Sequence, residues 1–177
     1  MRILYRIRQF WRVALKNDSN DLEQVQSQLS PAQWVLFRQL QPAEQEHALR
    51  LLRKLLDQGE YQPDLLVAAL LHDVGKLRYR LNPVERAMVV LVQAILPEQA
   101  RRWGNLPPGG WEGLPGWHKA FILAEHHAEW GAEMAHRAGL SPLGENLIRK
   151  HHHPHNGEAG EVENYLLHKL WAVDNDS

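Results

Sequence analysis

The sequence predicts an all-α protein, a single helical bundle of roughly seven helices with one long Pro/Gly/Trp-rich loop. Three observations carry this. Apolar residues recur at helical spacing in segment after segment, and no stretch of any length alternates with the period of a strand. Helix punctuation is frequent, with prolines after polar residues at Ser30-Pro31 and Asn82-Pro83 and glycine stops at Gly59 and Gly139. The 177 residues are 44% hydrophobic, with no repeat or low-complexity tract, which suits one domain with a sizeable core.

Residues 1–16 carry Arg2, Arg6, Arg8, Arg12 and Lys16 without an acid, and Ile3, Ile7, Phe10 and Trp11 recur at helical spacing. This is a basic amphipathic helix that either packs its apolar stripe on the domain or lies on an anionic membrane surface or a partner. Residues 17–24 (NDSNDLEQ) read as a polar loop, so residues 1–20 are taken as N-terminal helix and linker and 21–177 as the domain. A helix opens at Pro31 with Trp34, Leu36, Phe37 and Leu40 as its apolar set. Another begins near Pro42 and runs through His47, Leu49, Leu52 and Leu55 towards Gly59, with His47 on a face that includes core positions. The run Leu65 to Leu71 is apolar on every side and reads as a buried helix. Pro83 opens a helix that continues to Leu96, and 103–118 (WGNLPPGGWEGLPGWH) form an irregular loop, either a wall or lid of a pocket or a tryptophan-anchored surface loop. Helices follow over Ala120 to Gly139, from Pro142 to the histidines at 151–153, and over Val162 to Val173.

Composition narrows the function. A formal net charge of −1 gives no global field for nucleic acid, and no nucleic-acid partner is expected. Cysteine is absent, so any metal must sit on nitrogen and oxygen ligands. The eleven histidines cluster rather than scatter. The best apolar run, Met88 to Leu96, is far short of a bilayer span and carries Gln93. Arginines interrupt every apolar stretch at the N-terminus, so no secretory signal is read and a cytoplasmic protein is expected.

The chemistry-bearing stretch is Leu70-Leu71-His72-Asp73-Val74-Gly75-Lys76. An imidazole and a carboxylate stand side by side where a buried helix ends, and polar groups buried there need partners. They either bond to backbone as a helix cap or take a metal ion together. Further along come His126-His127-Ala128-Glu129-Trp130-Gly131-Ala132, Ile148-Arg149-Lys150-His151-His152, and Asp174 near the chain end. Neighbouring residues on a helix point about 100° apart, so one histidine of each adjacent pair is expected to face a common site.

The ordered series His47, His72-Asp73, His127, His151-His152, Asp174 resembles the H…HD…D pattern of the HD-domain superfamily of metal-dependent phosphohydrolases, and LLHDVGK is similar to its HD-[IV]-GK signature. The resemblance covers about residues 40–176. It implies an all-helical domain in which His47, His72, Asp73 and Asp174 bind one metal. It further implies that His127 and His151, with His152 as the neighbouring alternative, bind a second metal bridged by Asp73. Asp73, His72 and Lys76 become the candidate catalytic residues, Lys76 either meeting a phosphate oxygen or standing as a solvated lysine. Imidazole with carboxylate suits one or two ions of Mn, Fe, Co, Ni or Zn. The activity implied is hydrolysis of a small phosphorylated substrate, a nucleotide or other phosphoester, by a metal-activated water. Arg78, Arg80, Arg101, Arg102 and Arg149 are either phosphate contacts or solvated surface charges. The GYP extension of cyclic-dinucleotide phosphodiesterases is missing after His152, where the chain reads HPHNGEAGE, so that activity is not implied. The alternative is a non-catalytic, metal-stabilised signalling or binding module docked through the N-terminal helix. A complete ligand set argues for the enzyme.

Overall fold

Six of the nine α-helices among the described residues begin on a proline, whose fixed φ suits the first turn and whose missing N–H costs nothing there. The computed structural model describes residues 19–152 and 160–176. The helices are α1 (Ser19–Gln28), α2 (Pro31–Gln39), α3 (Pro42–Asp57), α4 (Pro63–Leu71), α5 (Pro83–Ile95), α6 (Pro97–Gly104), α7 (Gly116–Arg137), α8 (Pro142–Lys150) and α9 (Glu161–Asn175). A short 3-10 helix, Val74–Arg78, follows α4, and no strand occurs among the described residues. The expected basic helix over 1–16 and the histidines at 153 and 155 lie outside the described residues.

Helix α4 is the axis of the main core. All seven residues from Leu65 to Leu71 are buried, as an apolar helix without a polar face requires. Helices α1, α2, α3, α8 and α9 surround it, bringing in Val25, Phe37, Leu52, Leu147 and Leu170. Two smaller clusters lie to one side. Val89, Ala100, Ala120 and Phe121 join α5, α6 and α7, while Ile122, Leu123 and Trp130 sit beneath Tyr79 and Trp111.

Four expectations are corrected in detail. The polar stretch expected as a loop over 17–24 is helical from Ser19, because α1 is anchored by Val25 and Leu29 in the main core and propagates back from them. Among the described residues there are nine helices where roughly seven are expected from sequence, partly because Pro97 does not end the helical region. Leu96 breaks the chain direction at φ −133° and ψ 60°, and Pro97 restarts it as α6. Trp103, Gly104 and residues 116–118 are helical, which trims the irregular loop to 105–115. The apolar residues also divide into one large cluster and two small ones rather than a single core.

The site depends on one close backbone contact. The 3-10 helix packs on α7, and a Cβ built on Gly75 would collide with the carbonyl oxygen of His127. On the other side, a Cβ on Gly131 would lie 3.2 Å from the Gly75 nitrogen and 3.3 Å from the His72 carbonyl oxygen. Glycine is therefore required at 75 by space, and it brings α7 against the end of α4. No helix among the described residues is long and apolar enough to cross a membrane.

Candidate metal centre

Five elements deliver seven side chains to one point. His47 comes from α3, His72 from the end of α4, Asp73 from the turn after it, His127 from α7, His151 and His152 from the end of α8, and Asp174 from the last turn of α9. Their donor atoms form three overlapping groups, each with all atoms within 4.8 Å of one another: His47, His72 and Asp73; His72, His151 and Asp174; and His127, His151 and His152. Asp73, a member of the first group, also reaches the last. Its Oδ2 is 3.6 Å from His72 Nε2 and its Oδ1 is 3.6 Å from His127 Nε2.

Backbone carbonyls fix the tautomers. His72 Nδ1 lies 3.0 Å from the Ala69 oxygen, His127 Nδ1 lies 3.1 and 3.0 Å from those of Leu123 and Ala124, and His151 Nδ1 lies 2.6 Å from that of Ile148. A carbonyl only accepts, so each Nδ1 carries the proton and donates it, and each Nε2 turns a lone pair into the cluster. This is the arrangement that orients ligating histidines. The His151 Nε2 is buried without any hydrogen-bond partner. An unpartnered acceptor in a buried site costs free energy unless something fills the position, and a cation would do so. The residues therefore fit a metal. His47 Nε2 donates to Asp174 Oδ1 at 2.8 Å, and His152 Nε2 donates to His127 Nε2 at 3.1 Å, so these two must shift their proton to coordinate through Nε2.

The electrostatics hold the donors in their ligating forms. Burial lowers the His127 imidazole to about 4 and His151 to about 3, which keeps both neutral at pH 7. Burial alone would raise the Asp73 carboxyl, but the Lys76 ammonium and the neighbouring imidazoles outweigh it and hold the group well below the usual carboxylate range. Asp174 behaves similarly: burial pushes it up, while the hydrogen bond from His47 and the surrounding imidazoles pull it to about 2. The chain end that carries Asp174 is tied down, since Lys54 Nζ donates to the Asp176 carbonyl at 2.6 Å.

Lys76 is not a free solvated lysine. Its Nζ donates to Asp73 Oδ2 at 2.7 Å and faces two cavities beside the cluster. One is polar and shallow, with Arg50, Arg86 and Glu44 beside His47 and Asp73. The other, about 430 Å³, runs between α5 and α7 beside His127 and His152. The arginine at both is Arg86, which sequence reasoning missed; it is held by an ion pair to the buried Glu44 on α3. Only its place one turn into a capped helix, four residues after Asn82, was visible beforehand, and many surface arginines share that.

None of the five arginines singled out from sequence lines either cavity. Arg149 pairs with Glu129 and Glu145, Arg101 with Glu98, and Arg78 lies over the Trp130 ring at 4.6 Å. Of the adjacent histidines, His126 turns away to the Gly104 carbonyl at 3.1 Å while His127 faces the cluster. His151 and His152 both enter, contrary to the one-of-each-pair expectation, because α8 ends at Lys150 and the chain turns between them. In the irregular loop Trp111 packs on Trp130 at 4.8 Å, and no residue of 105–115 lines these two cavities. Comparison of the chain with protein-family models, curated proteins and solved structures gives no match.

Proposed function

We propose that this protein is a metal-dependent phosphohydrolase that hydrolyses a small phosphate ester. The observation that carries the reading is the position of Asp73: one carboxylate oxygen turns to His72 and the other to His127, so a single buried aspartate joins two histidine groups. The resemblance of His47, His72-Asp73 and Asp174 to the HD-superfamily pattern supports it from the sequence side.

On this reading His47, His72, Asp73 and Asp174 hold one ion, and His127, His151 and His152 hold a second with Asp73 between them. Bound there, a transition metal of the Mn-to-Zn series supplies Lewis acidity, lowering the pKa of water and offsetting charge on phosphoryl oxygens. The chain's own residues do the rest. Lys76 and Arg86 stand beside the cluster at both cavities and neutralise the ester's anionic oxygens, Arg86 as a planar donor braced by Glu44. Lys76 Nζ, which here donates to Asp73 Oδ2, would turn from that oxygen to meet the ester. The buried, neutral Nε2 atoms of His127 and His151 stay fixed by their backbone bonds and need no reorganisation.

The test is elemental analysis of untagged wild type and Asp73→Ala, purified without oxygen, together with phosphate release from p-nitrophenyl phosphate. One or two transition-metal ions per chain and metal-dependent release in wild type, both lost in the variant, are expected. Phosphate release that persists in metal-free protein, or metal content that ignores the substitution, overturns the reading.

A further inference from the structure

Resting on the phosphohydrolase reading, we propose that the organic half of the ester is an aliphatic chain, bound in the cavity between α5 and α7. At about 430 Å³ this cavity is of the size that holds small ligands. Its end beside the histidine cluster carries the cations Lys76 and Arg86 with the imidazoles of His127 and His152. The rest of its wall is Leu81, Val89, Val90, Leu123 and Ala124, with Gln93 the one further polar side chain.

That division sorts substrates by chemistry. Any phosphate ester can put its charged end at Lys76 and Arg86. A nucleoside would then place ribose hydroxyls and base edges against five aliphatic side chains, leaving its donors and acceptors unpaired at a cost. Bases are usually gripped by stacking on aromatic rings or arginine; no Phe, Tyr or Trp lines this cavity, and its one arginine and two histidines stand at the end by the cluster, away from the aliphatic wall. The ring-bearing residues are elsewhere: Trp103 packs on Trp117 and Phe121, and Trp111 on Trp130 and Tyr79. An alkyl chain, by contrast, loses nothing polar and gains from every methylene withdrawn from water. The cavity wall includes Val90, 67% exposed, so the apolar wall reaches solvent at α5.

The test is binding rather than turnover. Full-length protein is titrated calorimetrically with methyl-, butyl- and octylphosphonate, which cannot be hydrolysed as esters, and with adenosine 5′-monophosphate. Octylphosphonate is expected to bind about thirtyfold or more tightly than methylphosphonate, since burying only about three of its additional methylenes, at roughly threefold each, already gives that factor. It is also expected to bind more tightly than the nucleotide. Val90→Glu, at an exposed position where folding is not at stake, should lower the octyl-to-methyl ratio about tenfold by placing a carboxylate on the apolar wall. A flat series, a nucleotide that binds more tightly than octylphosphonate, or a ratio that ignores Val90→Glu overturns the chain assignment. If p-nitrophenyl phosphate is hydrolysed in a metal-dependent way while the series is flat, only this assignment falls. If metal and hydrolysis are both missing, the phosphohydrolase reading falls and takes this one with it.

Discussion

Helices α4 and α5 are both strongly apolar, yet one is buried on all sides and the other is largely bare. Every residue from Leu65 to Leu71 of α4 is inside, whereas α5 buries only Val89 and leaves Val84, Val90, Leu91 and Ile95 exposed. Each forms one flank of the site. Helix α4 fixes His72 and Asp73 through dense packing, which suits groups that must hold a geometry. Helix α5 bounds the cavity of about 430 Å³ and is tied to α3 by the Arg86–Glu44 pair. Dense packing is concentrated where donor atoms converge, and exposed apolar surface lies on the helix that walls the cavity.

The largest effect expected from that division is at Gly75. Its Cα rests against the backbone of α7, and a methyl there collides with the His127 carbonyl oxygen. That oxygen belongs to the helix ladder, so it cannot swing aside. Gly75→Ala should cost at least about 3 kcal/mol, beyond ordinary overpacking, and should separate His127 from Asp73. Urea unfolding monitored by circular dichroism measures the first effect, and metal content of the folded fraction measures the second. A change under about 1 kcal/mol would mean that α7 slides easily on the 3-10 helix, and the two flanks would then be equally soft.

Next in size is the buried bracket between them. Glu44 is 3% exposed, and its Oε2 is buried without a hydrogen-bond partner. Removing the guanidinium by Arg86→Met leaves a buried carboxylate with no cation, which should destabilise by about 2 kcal/mol, at the lower end for broken buried pairs because Arg86 is partly exposed. Glu44→Gln with Arg86→Met should recover part of that loss, since no bare charge remains. Thermal unfolding of the two variants distinguishes the cases: an equal loss in both would show that the pair does not brace α5.

The pH dependence of metal-free protein comes from the rigid flank. In unfolded chain His127 and His151 protonate near 6.5, but in the folded protein burial lowers them to about 4 and about 3. Between these limits the unfolded state binds more protons, so stability falls as pH falls. From pH 6.5 to pH 5 the loss should be on the order of 3 kcal/mol for the two groups together. The lowered carboxyls of Asp73 and Asp174 act in the same direction but only below about pH 4, where the unfolded carboxylates take up protons. Urea midpoints at pH 7 and pH 5 measure this, and because His152 is also lowered to about 4, replacing His151 with Leu should remove about a third of the whole slope. Equal midpoints at the two pH values would mean that the imidazoles are hydrated and the cluster is not dry.

How far the sequence disclosed this arrangement differs between the flanks. The apolar run Leu65 to Leu71, the prolines at helix starts and the missing strand period were enough for the all-α class. The seven clustered side chains were legible because they are chemically distinctive and follow helix ends or faces, where spacing constrains direction. Three things were not. The roles of Gly75 and Gly131 depend on backbone contact between elements more than fifty residues apart, and a glycine after a helix already has a local explanation. Arg86 differs from the arginines at 78, 101 and 149 only in having a buried glutamate from α3 opposite it. The start of α1 was hidden because its local residues favour a loop and only the burial of Val25 and Leu29, a tertiary effect, overrides them.

The smallest expected effect lies on the outer face of α5. Leu91 is 59% exposed and Ile95 65%, so neither contributes much burial in the folded chain. Leu91→Gln and Ile95→Gln should each shift stability by less than about 0.5 kcal/mol, as at other surface positions, whereas Leu70→Ala in α4 should cost about 2–5 kcal/mol by opening a cavity. Urea unfolding of the three single variants is the measurement. If Leu91→Gln or Ile95→Gln cost as much as Leu70→Ala, the face would be covered in the folded protein and the contrast between α4 and α5 would disappear. If they are silent in stability yet weaken octylphosphonate binding, the apolar surface of α5 is kept for a ligand rather than for the fold.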